Sequence, residues 1–282
     1  MRKILVPTDF SENALNALDY ALELFKYDIC EFYIMHAYQD DIYADKVLMK
    51  SKTIDELTRV ISDKSQLQLE GILKHVSKVS PNSRHTYHVV SSNNMLIDEA
   101  DKIVDEECID IIVMGTRGKT NDRKLTFGSH TLQVLKYVQC PVLAIPENYK
   151  HIQPRRILFP TNYMIPYKRR ELKLLCDMAS PYRAVIDMLY ISKSKKLSLR
   201  QQNHQDFINE ALCKNKINFK IVDNKNITNA IYTYIKENDI NMLVMVNTRH
   251  SFLENILFQS TIDEISLYIE IPFLVLQNMR RN

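Results

Sequence analysis

Residues 111–131 read I-I-V-M-G-T-R-G-K-T-N-D-R-K-L-T-F-G-S-H-T, an apolar run followed by a polar loop and a glycine–serine pair. The chain has only four glycines in 282 residues, and Gly115, Gly118 and Gly128 all lie in this segment. A chain this poor in glycine places one where the backbone needs φ > 0 or where a ligand approaches the main chain closely. The segment therefore predicts a strand, a loop and a helix that together carry the functional site.

The sequence contains an internal repeat. Residues 3–9 (K-I-L-V-P-T-D) match residues 156–162 (R-I-L-F-P-T-N), and residues 112–118 (I-V-M-G-T-R-G) match residues 244–250 (V-M-V-N-T-R-H). Each copy then closes on a proline followed by apolar residues. A repeat of this kind indicates two copies of one fold, so we predict a first domain over residues 1–147 and a second over residues 153–282.

Short apolar runs alternate with longer amphipathic runs in both copies. The β-branched run that stops at Pro7 is typical of a buried parallel strand, and Ser11 is placed to cap the next helix. We predict strands at 4–6, 32–37, 85–90, 109–114 and 142–145, then at 156–160, 184–191, 217–222, 241–246 and 272–276. We predict helices after Ser11 and at 53–79, 95–106 and 126–138, then at 167–178, 198–214, 227–237 and 258–269. This alternation predicts an α/β fold, with helices on both faces of a parallel sheet.

Three candidate site residues come directly after predicted strands of the first copy. They are Asp9, Ala37 and Gly115. Ligands of such folds bind beyond the carboxyl ends of the strands. We therefore expect these residues to lie on one rim of the sheet.

The glycine loop has the chemistry of a phosphate site. Glycines allow successive N–H groups to turn inward around an anion, and a helix N-terminus adds N–H donors and a positive dipole end. Ser129 offers a hydroxyl donor, and positive charge comes from Arg117, Lys119, Arg123 and Lys124. The alternative is that these glycines only form turns, which the scarcity of glycine elsewhere disfavours. A P-loop is rejected because it needs glycine at position 113, which is Val113, and no G-x-G-x-x-G occurs.

These residues resemble the universal stress protein family in its tandem form, with two domains in one chain. The specific part is the motif G-2x-G-9x-G-[S/T], which Gly115, Gly118, Gly128 and Ser129 meet in full. The resemblance implies two tandem Rossmann-like domains of the adenine nucleotide alpha hydrolase-like type, each with a five-stranded parallel sheet of order 3-2-1-4-5. It also implies that the first domain binds ATP, with or without Mg.

The resemblance assigns nucleotide contacts by motif position. It implies Pro7, Thr8 and Asp9 against the adenosine, Ala37 against adenine through its backbone, Met114 and Gly115 along the ribose and phosphates, and Gly118, Gly128, Ser129 and the His130 backbone on the phosphates, with Arg117 beside them. The family often has G-x-P after the third strand, where this chain has Ser91, Ser92 and Asn93.

The second copy departs further from the family motif. Asn162 replaces Asp9, and Asn247, His250 and Gln259 stand at the aligned positions of the three loop glycines. Side chains then occupy space that phosphate needs. We predict that the second domain does not bind ATP in the family manner and serves packing or partner binding, although Asn247 leaves a different ligand open.

Composition and charge favour a soluble cytoplasmic protein. The net charge of +3 is too small to indicate nucleic-acid binding, and no apolar run reaches the ~20 residues that span a bilayer. The N-terminus has no apolar segment of signal-peptide length before Asp9. Cysteines at 30, 108, 140, 176 and 213 form no C-x-x-C pair, so we expect buried thiols in a reducing compartment.

Other polar residues have ordinary structural explanations. We expect Asp9 to hydrogen-bond the nucleoside rather than act as a catalytic carboxylate or a magnesium ligand, because no second carboxylate lies beside it. His36 is expected to be structural, and His85 and His88 would face opposite sides of a strand. The polar run from Ser91 to Asn94 is explained by helix capping.

Three hypotheses for function follow. The first is a cytoplasmic ATP-binding stress-response protein in which the nucleotide biases conformation or contact with a protein partner, with slow or no hydrolysis. The second is a nucleotide-free interaction scaffold. The third, an enzyme that adenylates a substrate, is disfavoured because residues 7–13 (P-T-D-F-S-E-N) lack glycine. The resemblance also implies an intramolecular pseudo-dimer through residues 141–145 and 272–276, with further homodimerisation left open.

Overall fold

The computed structural model describes residues 1–44, 53–118, 127–150, 153–164, 167, 169–194, 196–212, 215–247 and 269–278. The described residues form two compact units. The first ends at Asn148 and the second begins at Tyr149.

The first unit contains five strands and five helices within the described residues. The strands are β1 (Arg2–Pro7), β2 (Cys30–Ala37), β3 (His85–Ser92), β4 (Ile111–Gly115) and β5 (Val142–Ile145). The helices are α1 (Glu12–Leu24), α2 (Gln39–Ala44), α3 (Ile54–Val79), α4 (Leu96–Glu106) and α5 (Ser129–Tyr137). The strand order is β3-β2-β1-β4-β5, and all four pairings are parallel.

The second unit repeats this arrangement. Its strands are β6 (Arg156–Pro160), β7 (Val185–Ile191), β8 (Ile217–Val222), β9 (Met242–Asn247) and β10 (Phe273–Gln277). Its described helices are α6 (Arg169–Ala179), a 3-10 turn (Ser180–Tyr182), α7 (Leu199–Ala211) and α8 (Ile227–Glu237). The order β8-β7-β6-β9-β10 is again 3-2-1-4-5 with parallel pairings. The predicted α/β fold class is confirmed; of the helix predicted at 258–269, residues 258–268 lie outside the described residues and Ile269 is not in a helix.

Several of the described helices begin at residues whose side chains cap the first turn. Ser11 accepts a hydrogen bond from Ala14 N at 3.2 Å, as expected of its capping role. Thr53 and Glu56 form a reciprocal capping box at the start of α3. The helix predicted from residue 126 begins at Ser129, with Gly128 as its N-cap. Helix α2 was not predicted from the sequence.

The core of each unit is the central sheet. Ile4, Leu5 and Val6 are fully buried in β1, as are Ile157 and Leu158 in β6. This burial on both faces agrees with uninterrupted apolar strands in a parallel sheet.

A charged group is buried within the second core. Asp187 on β7 is fully buried and accepts hydrogen bonds from Arg156 Nε at 2.7 Å, Asn218 Nδ2 at 2.8 Å and the Tyr234 hydroxyl at 3.1 Å. Burial and the neighbouring carboxylate raise the pKa of Tyr234 to about 12. Three donors satisfy the carboxylate, which is the condition for keeping a charge inside a core.

The expectation of buried thiols is correct for three of the four described cysteines. Cys30, Cys140 and Cys176 are buried, and none of the four described cysteines forms a disulfide. Cys108 is exposed, which corrects the prediction for that residue. It follows α4 in a left-handed turn with φ of 53°, outside the packed strands that enclose the others.

Candidate functional site

The carboxyl ends of β1, β2 and β4 meet at one rim of the first sheet. Pro7 pairs with Met35 on β2, and Thr8 N donates to Met35 O at 2.8 Å. Ile4 pairs with Ile111 on the other side of β1. The parallel register therefore places Asp9, Ala37 and Gly115 on the same rim, as the strand pattern predicted.

A tight loop follows β1. Thr8 Oγ1 accepts a hydrogen bond from Phe10 N at 3.0 Å, and Asp9 Oδ1 accepts one from Ser11 N at 3.0 Å. Phe10 has φ of 62°, and its ring packs against that of His36 with centroids 4.5 Å apart. Local side-chain acceptors of this type stabilise turns, so Thr8 and Asp9 are held in place before any ligand binds.

The loop glycines are explained by close approach and not by unusual dihedral angles. None of the four glycines has a positive φ, which excludes one of the two reasons expected from the sequence. A Cβ on Gly118 would lie 2.7 Å from Asp9 Oδ2, and a Cβ on Gly115 would lie 2.6 Å from Asn13 Nδ2. Both distances are shorter than real Cβ contacts, so at these positions other residues occupy the side-chain space.

Gly118, Gly128 and the first turn of α5 form what we call the glycine cradle. Gly128 N donates to Thr116 O at 2.8 Å, and a Cβ on Gly128 would lie 3.7 Å from Gly118 N. Gly128 is the N-cap of α5 and supplies no side-chain cap. Ser129 is therefore the first helical residue and not the cap, and Ser129 and His130 are both exposed. Backbone donors at a helix N-terminus suit an anion.

Two residues that the sequence did not single out hold the cradle. Asn13, on α1, donates from Nδ2 to Arg117 O at 2.7 Å, and both groups are buried. Thr131 Oγ1 donates to Gly115 O at 2.9 Å. The sequence signal for this role was the position of Asn13 among the apolar residues of α1, since a buried amide needs a hydrogen-bond partner.

The remaining predicted site residues fall into three groups. Pro7, Met114 and Arg117 are buried; Arg117 has 8% exposure, and its backbone carbonyl accepts the hydrogen bond from Asn13 in the cradle wall. Ala37 is partly exposed at the end of β2. Lys119, Arg123 and Lys124 lie outside the described residues.

A hydrogen-bonded chain runs beside Ala37. His36 Nδ1 lies 2.9 Å from Ser65 Oγ, and Ser65 Oγ lies 2.7 Å from Ser91 Oγ. His36 Nε2 lies 3.5 Å from Asp41 Oδ2. His36 thus has the structural role that was expected, and Ser91, at the family's usual glycine, connects β3 to α3 through Ser65.

The polar turn after β3 does not act by helix capping, which corrects that interpretation. The N-cap of α4 is Met95 and makes no side-chain bond. Ser92 Oγ and Asn94 Nδ2 instead donate to Glu99 Oε2 at 2.7 and 2.6 Å. Burial alone would raise the pKa of Glu99, but these two hydrogen bonds and Lys102 outweigh it and hold the pKa below its ordinary value.

Helix α2 closes the rim on the side of α5. His130 Nε2 lies 3.4 Å from Asp40 Oδ2, and each side chain is about half exposed. This contact joins the first turn of α5 to the segment that follows Ala37. Within the described part of the chain, no three His, Cys, Asp or Glu residues are grouped to hold a metal ion.

The second unit keeps the loop after its first strand. Thr161 Oγ1 accepts from Tyr163 N at 3.0 Å, Asn162 Oδ1 accepts from Met164 N at 2.9 Å, and Tyr163 has φ of 55°. Here, however, α7 covers the loop carbonyls. Gln201 Nε2 donates to Asn162 O at 2.9 Å, and His204 Nδ1 lies 2.7 Å from Tyr163 O.

The sheet register corrects one alignment made from the sequence. Ile112 pairs with Leu5 and Val142, while Leu243 pairs with Leu158 and Phe273. Counting along the strands from these equivalent residues, Val246, and not Asn247, is the counterpart of Gly115. The match of residues 112–118 to residues 244–250 is therefore displaced by one residue. The sequence does not reveal this displacement, because either alignment places apolar residues on the strand.

Comparison with known proteins agrees with this geometry. The family model described as the universal stress protein family matches residues 1–146, which is more than half of the chain. The chain belongs to the universal stress protein family. Universal stress protein MJ0577 of Methanocaldococcus jannaschii is 28% identical over 152 residues, covering 51% of this chain and 94% of that protein. Universal stress protein MJ0531 of the same organism is 27% identical over 149 residues, covering 53% and 84%.

A solved structure with two-unit length shows the same fold. A universal stress protein from Archaeoglobus fulgidus has a TM-score of 0.69 and 18% identity, covering 98% of this chain and 96% of that one. This likeness concerns the fold alone. No helix among the described residues is long and apolar enough to cross a membrane.

Proposed function

We propose that the first unit binds ATP and that the nucleotide acts as a ligand controlling conformation or partner binding. The observation that carries the proposal is the glycine cradle, where Gly118 and Gly128 come together at the start of α5 beside Asp9. Backbone N–H groups and a helix dipole favour an oxyanion at this point. The full family motif at these positions supports ATP as the anion.

The residues have distinct proposed roles. Pro7, Thr8 and Asp9 lie against the adenosine, and the Ala37 backbone contacts adenine at the end of β2. Met114 and Gly115 line the ribose side, while the cradle and the Ser129 and His130 groups hold the phosphates. Arg117 supports the phosphate side through its buried backbone. Mg²⁺, when present, would be held mainly by the phosphates, as is usual for magnesium–nucleotide sites.

A regulatory ligand must bind two states with different affinity. The contact between His130 and Asp40 would change when phosphates bind, because it joins the first turn of α5 to α2. We propose that phosphate binding displaces Asp40 by like-charge repulsion and so shifts α2, which presents a different surface to a protein partner. ATP turnover is expected to stay well below ~1 per second, an ordinary enzyme rate.

The second unit is proposed to remain free of ATP. Val246 brings a side chain to the position of Gly115, and Gln201 and His204 already occupy the loop carbonyls. One nucleotide per chain is therefore expected. The described cysteines form no disulfide, which accords with a proposed cytoplasmic location.

Mass spectrometry of small molecules released from freshly purified protein tests the proposal. We expect about one adenine nucleotide per chain, and a loss of at least tenfold in ATP affinity for Gly118→Asp. The added carboxylate would stand beside Asp9 and in the path of the phosphates. Gly71→Asp is the matched control, since a Cβ on Gly71 meets nothing within 4 Å.

Two outcomes would reject this assignment. Two nucleotides per chain would show that the second unit binds ATP as well. Absence of nucleotide, with no binding after addition of millimolar Mg-ATP, would favour the nucleotide-free scaffold.

A further inference from the structure

A cavity of about 530 Å³ lies in the second unit between α7, β8 and the loops after β6 and β7. Its lining residues are Tyr163, Lys196, Leu197, Gln202, Gln205, Phe219, Lys220 and Ile221. The volume falls within the range of about 300–1,000 Å³ typical of small-molecule sites. None of these residues belongs to the glycine cradle.

The cavity exists because the second unit lacks a long covering helix. In the first unit, β3 packs under α3, which has 26 residues. The counterpart of α3 is α7, with 13 residues. Phe219 and Ile221 on β8 consequently keep 37% and 45% of their surface exposed. These two residues stand two positions apart on one face of β8, so their exposed surface is contiguous, and contiguous apolar surface is what marks a binding site.

The charged residues that line the cavity are all positive. Lys196 and Lys220 are exposed at the cavity, and none of the eight lining residues is acidic. Gln202 and Gln205 add amide groups, and Gln205 Nε2 already points to the Tyr163 hydroxyl at 3.4 Å. Two ammonium groups next to an apolar wall are complementary to an anionic head group with an apolar body.

We propose that this cavity binds an amphipathic organic anion, a carboxylate carrying an aliphatic chain of medium length. The carboxylate contacts Lys196 and the chain lies along Leu197, Phe219 and Ile221, while Lys220, from the alternate position on β8, adds positive charge at the cavity. The volume of about 530 Å³ suits a small molecule. The second unit would thus carry a different ligand site from the nucleotide site that we propose for the first unit.

Competition between dodecanoate and the fluorescent anion 1-anilinonaphthalene-8-sulfonate on the full chain tests the proposal. Dodecanol is the matched neutral probe. We expect saturable binding of one dodecanoate per chain, and weaker binding of dodecanol. Lys196→Gln and Lys220→Gln should each weaken dodecanoate about three- to tenfold, a range that allows for solvent exposure of both lysines, with little effect on dodecanol.

Control variants separate the site from general surface effects. Ile221→Ser should weaken both probes, whereas Lys216→Gln and Ile227→Ser, at exposed positions of the same unit that do not line the cavity, should change neither. Circular dichroism establishes that each variant is folded. Equal affinity for dodecanol and dodecanoate, unchanged binding in both lysine variants, or no saturable binding would overturn the proposal. Gly118→Asp should bind dodecanoate as the wild type does. This variant therefore distinguishes the cavity from the proposed ATP site.

Discussion

Replacement of Gly115 by alanine tests the contact between β4 and α1. A Cβ at this position would lie 2.6 Å from Asn13 Nδ2 and 3.1 Å from Arg117 O. Asn13 must therefore move and give up its 2.7 Å hydrogen bond to Arg117 O. Losing a buried hydrogen bond costs about 1–3 kcal/mol when a partner stays unsatisfied, and forcing a methyl group into a packed site costs about 1–3 kcal/mol. We expect the free energy of unfolding of the first unit to fall by about 2–4 kcal/mol.

Asn13→Ala provides the matched background, because it removes the side chain that the new methyl group would strike. In that background the Gly115→Ala change should cost at most about 1 kcal/mol, which gives a coupling energy of about 1–3 kcal/mol. Urea unfolding of the four proteins measures this coupling. Gly71→Ala is the control; it faces open space on α3 and should stabilise by up to about 1 kcal/mol. Additive costs, within about 0.5 kcal/mol, would refute the steric explanation of Gly115.

Three further predictions concern buried and exposed groups. Asp187→Ala should lower the stability of the second unit by about 2–3 kcal/mol, somewhat less than the ~3–5 kcal/mol of a fully buried pair, because Arg156 is partly exposed; equilibrium unfolding that matches the wild type would contradict this. Since the folded-state pKa of Glu99 is lowered, its contribution to stability is present above the ordinary glutamate pKa of about 4.3 and is lost as the pH falls toward the lower folded value. Urea midpoints measured from pH 6 to pH 3 should show this loss in the wild type but not in Glu99→Gln. Among the described cysteines, Cys108 should be alkylated rapidly in the native protein while Cys30, whose pKa burial raises to about 12, should react only on unfolding; peptide mass spectrometry locates the label.

The elements were predictable because their signals are local. The apolar run before Pro7, the Ser11 cap and the Thr53 capping box each lie within a few residues of the structure they determine. The strand order, by contrast, came from family resemblance, since no local pattern fixes which strands are neighbours. Helix α2 was missed because its six residues, Q-D-D-I-Y-A, are too few to show a helical period.

The parts of the candidate site that the sequence did not reveal depend on distant contacts. Asn13 meets Arg117 O across 104 positions of the chain, and a single asparagine within a helix gives no indication of its partner. Glu99 likewise organises Ser92 and Asn94 from the following helix. The sequence of this turn therefore predicts helix capping, whereas the partner of Ser92 and Asn94 in the structure is the buried carboxylate of Glu99.

Comparison of the two units shows which local features the fold itself requires. The loop after the first strand has the same hydrogen bonds in both, and its positive φ is held by Phe10 in one and Tyr163 in the other. Non-glycine residues in that conformation persist only where neighbouring contacts impose it, so this loop is part of the fold. The glycines of the cradle have ordinary φ values and occur only in the first unit. Since the described strands and helices of the second unit form without them, these elements do not require the glycines, and at Gly118 the close approach of Asp9 Oδ2 explains the absence of a side chain.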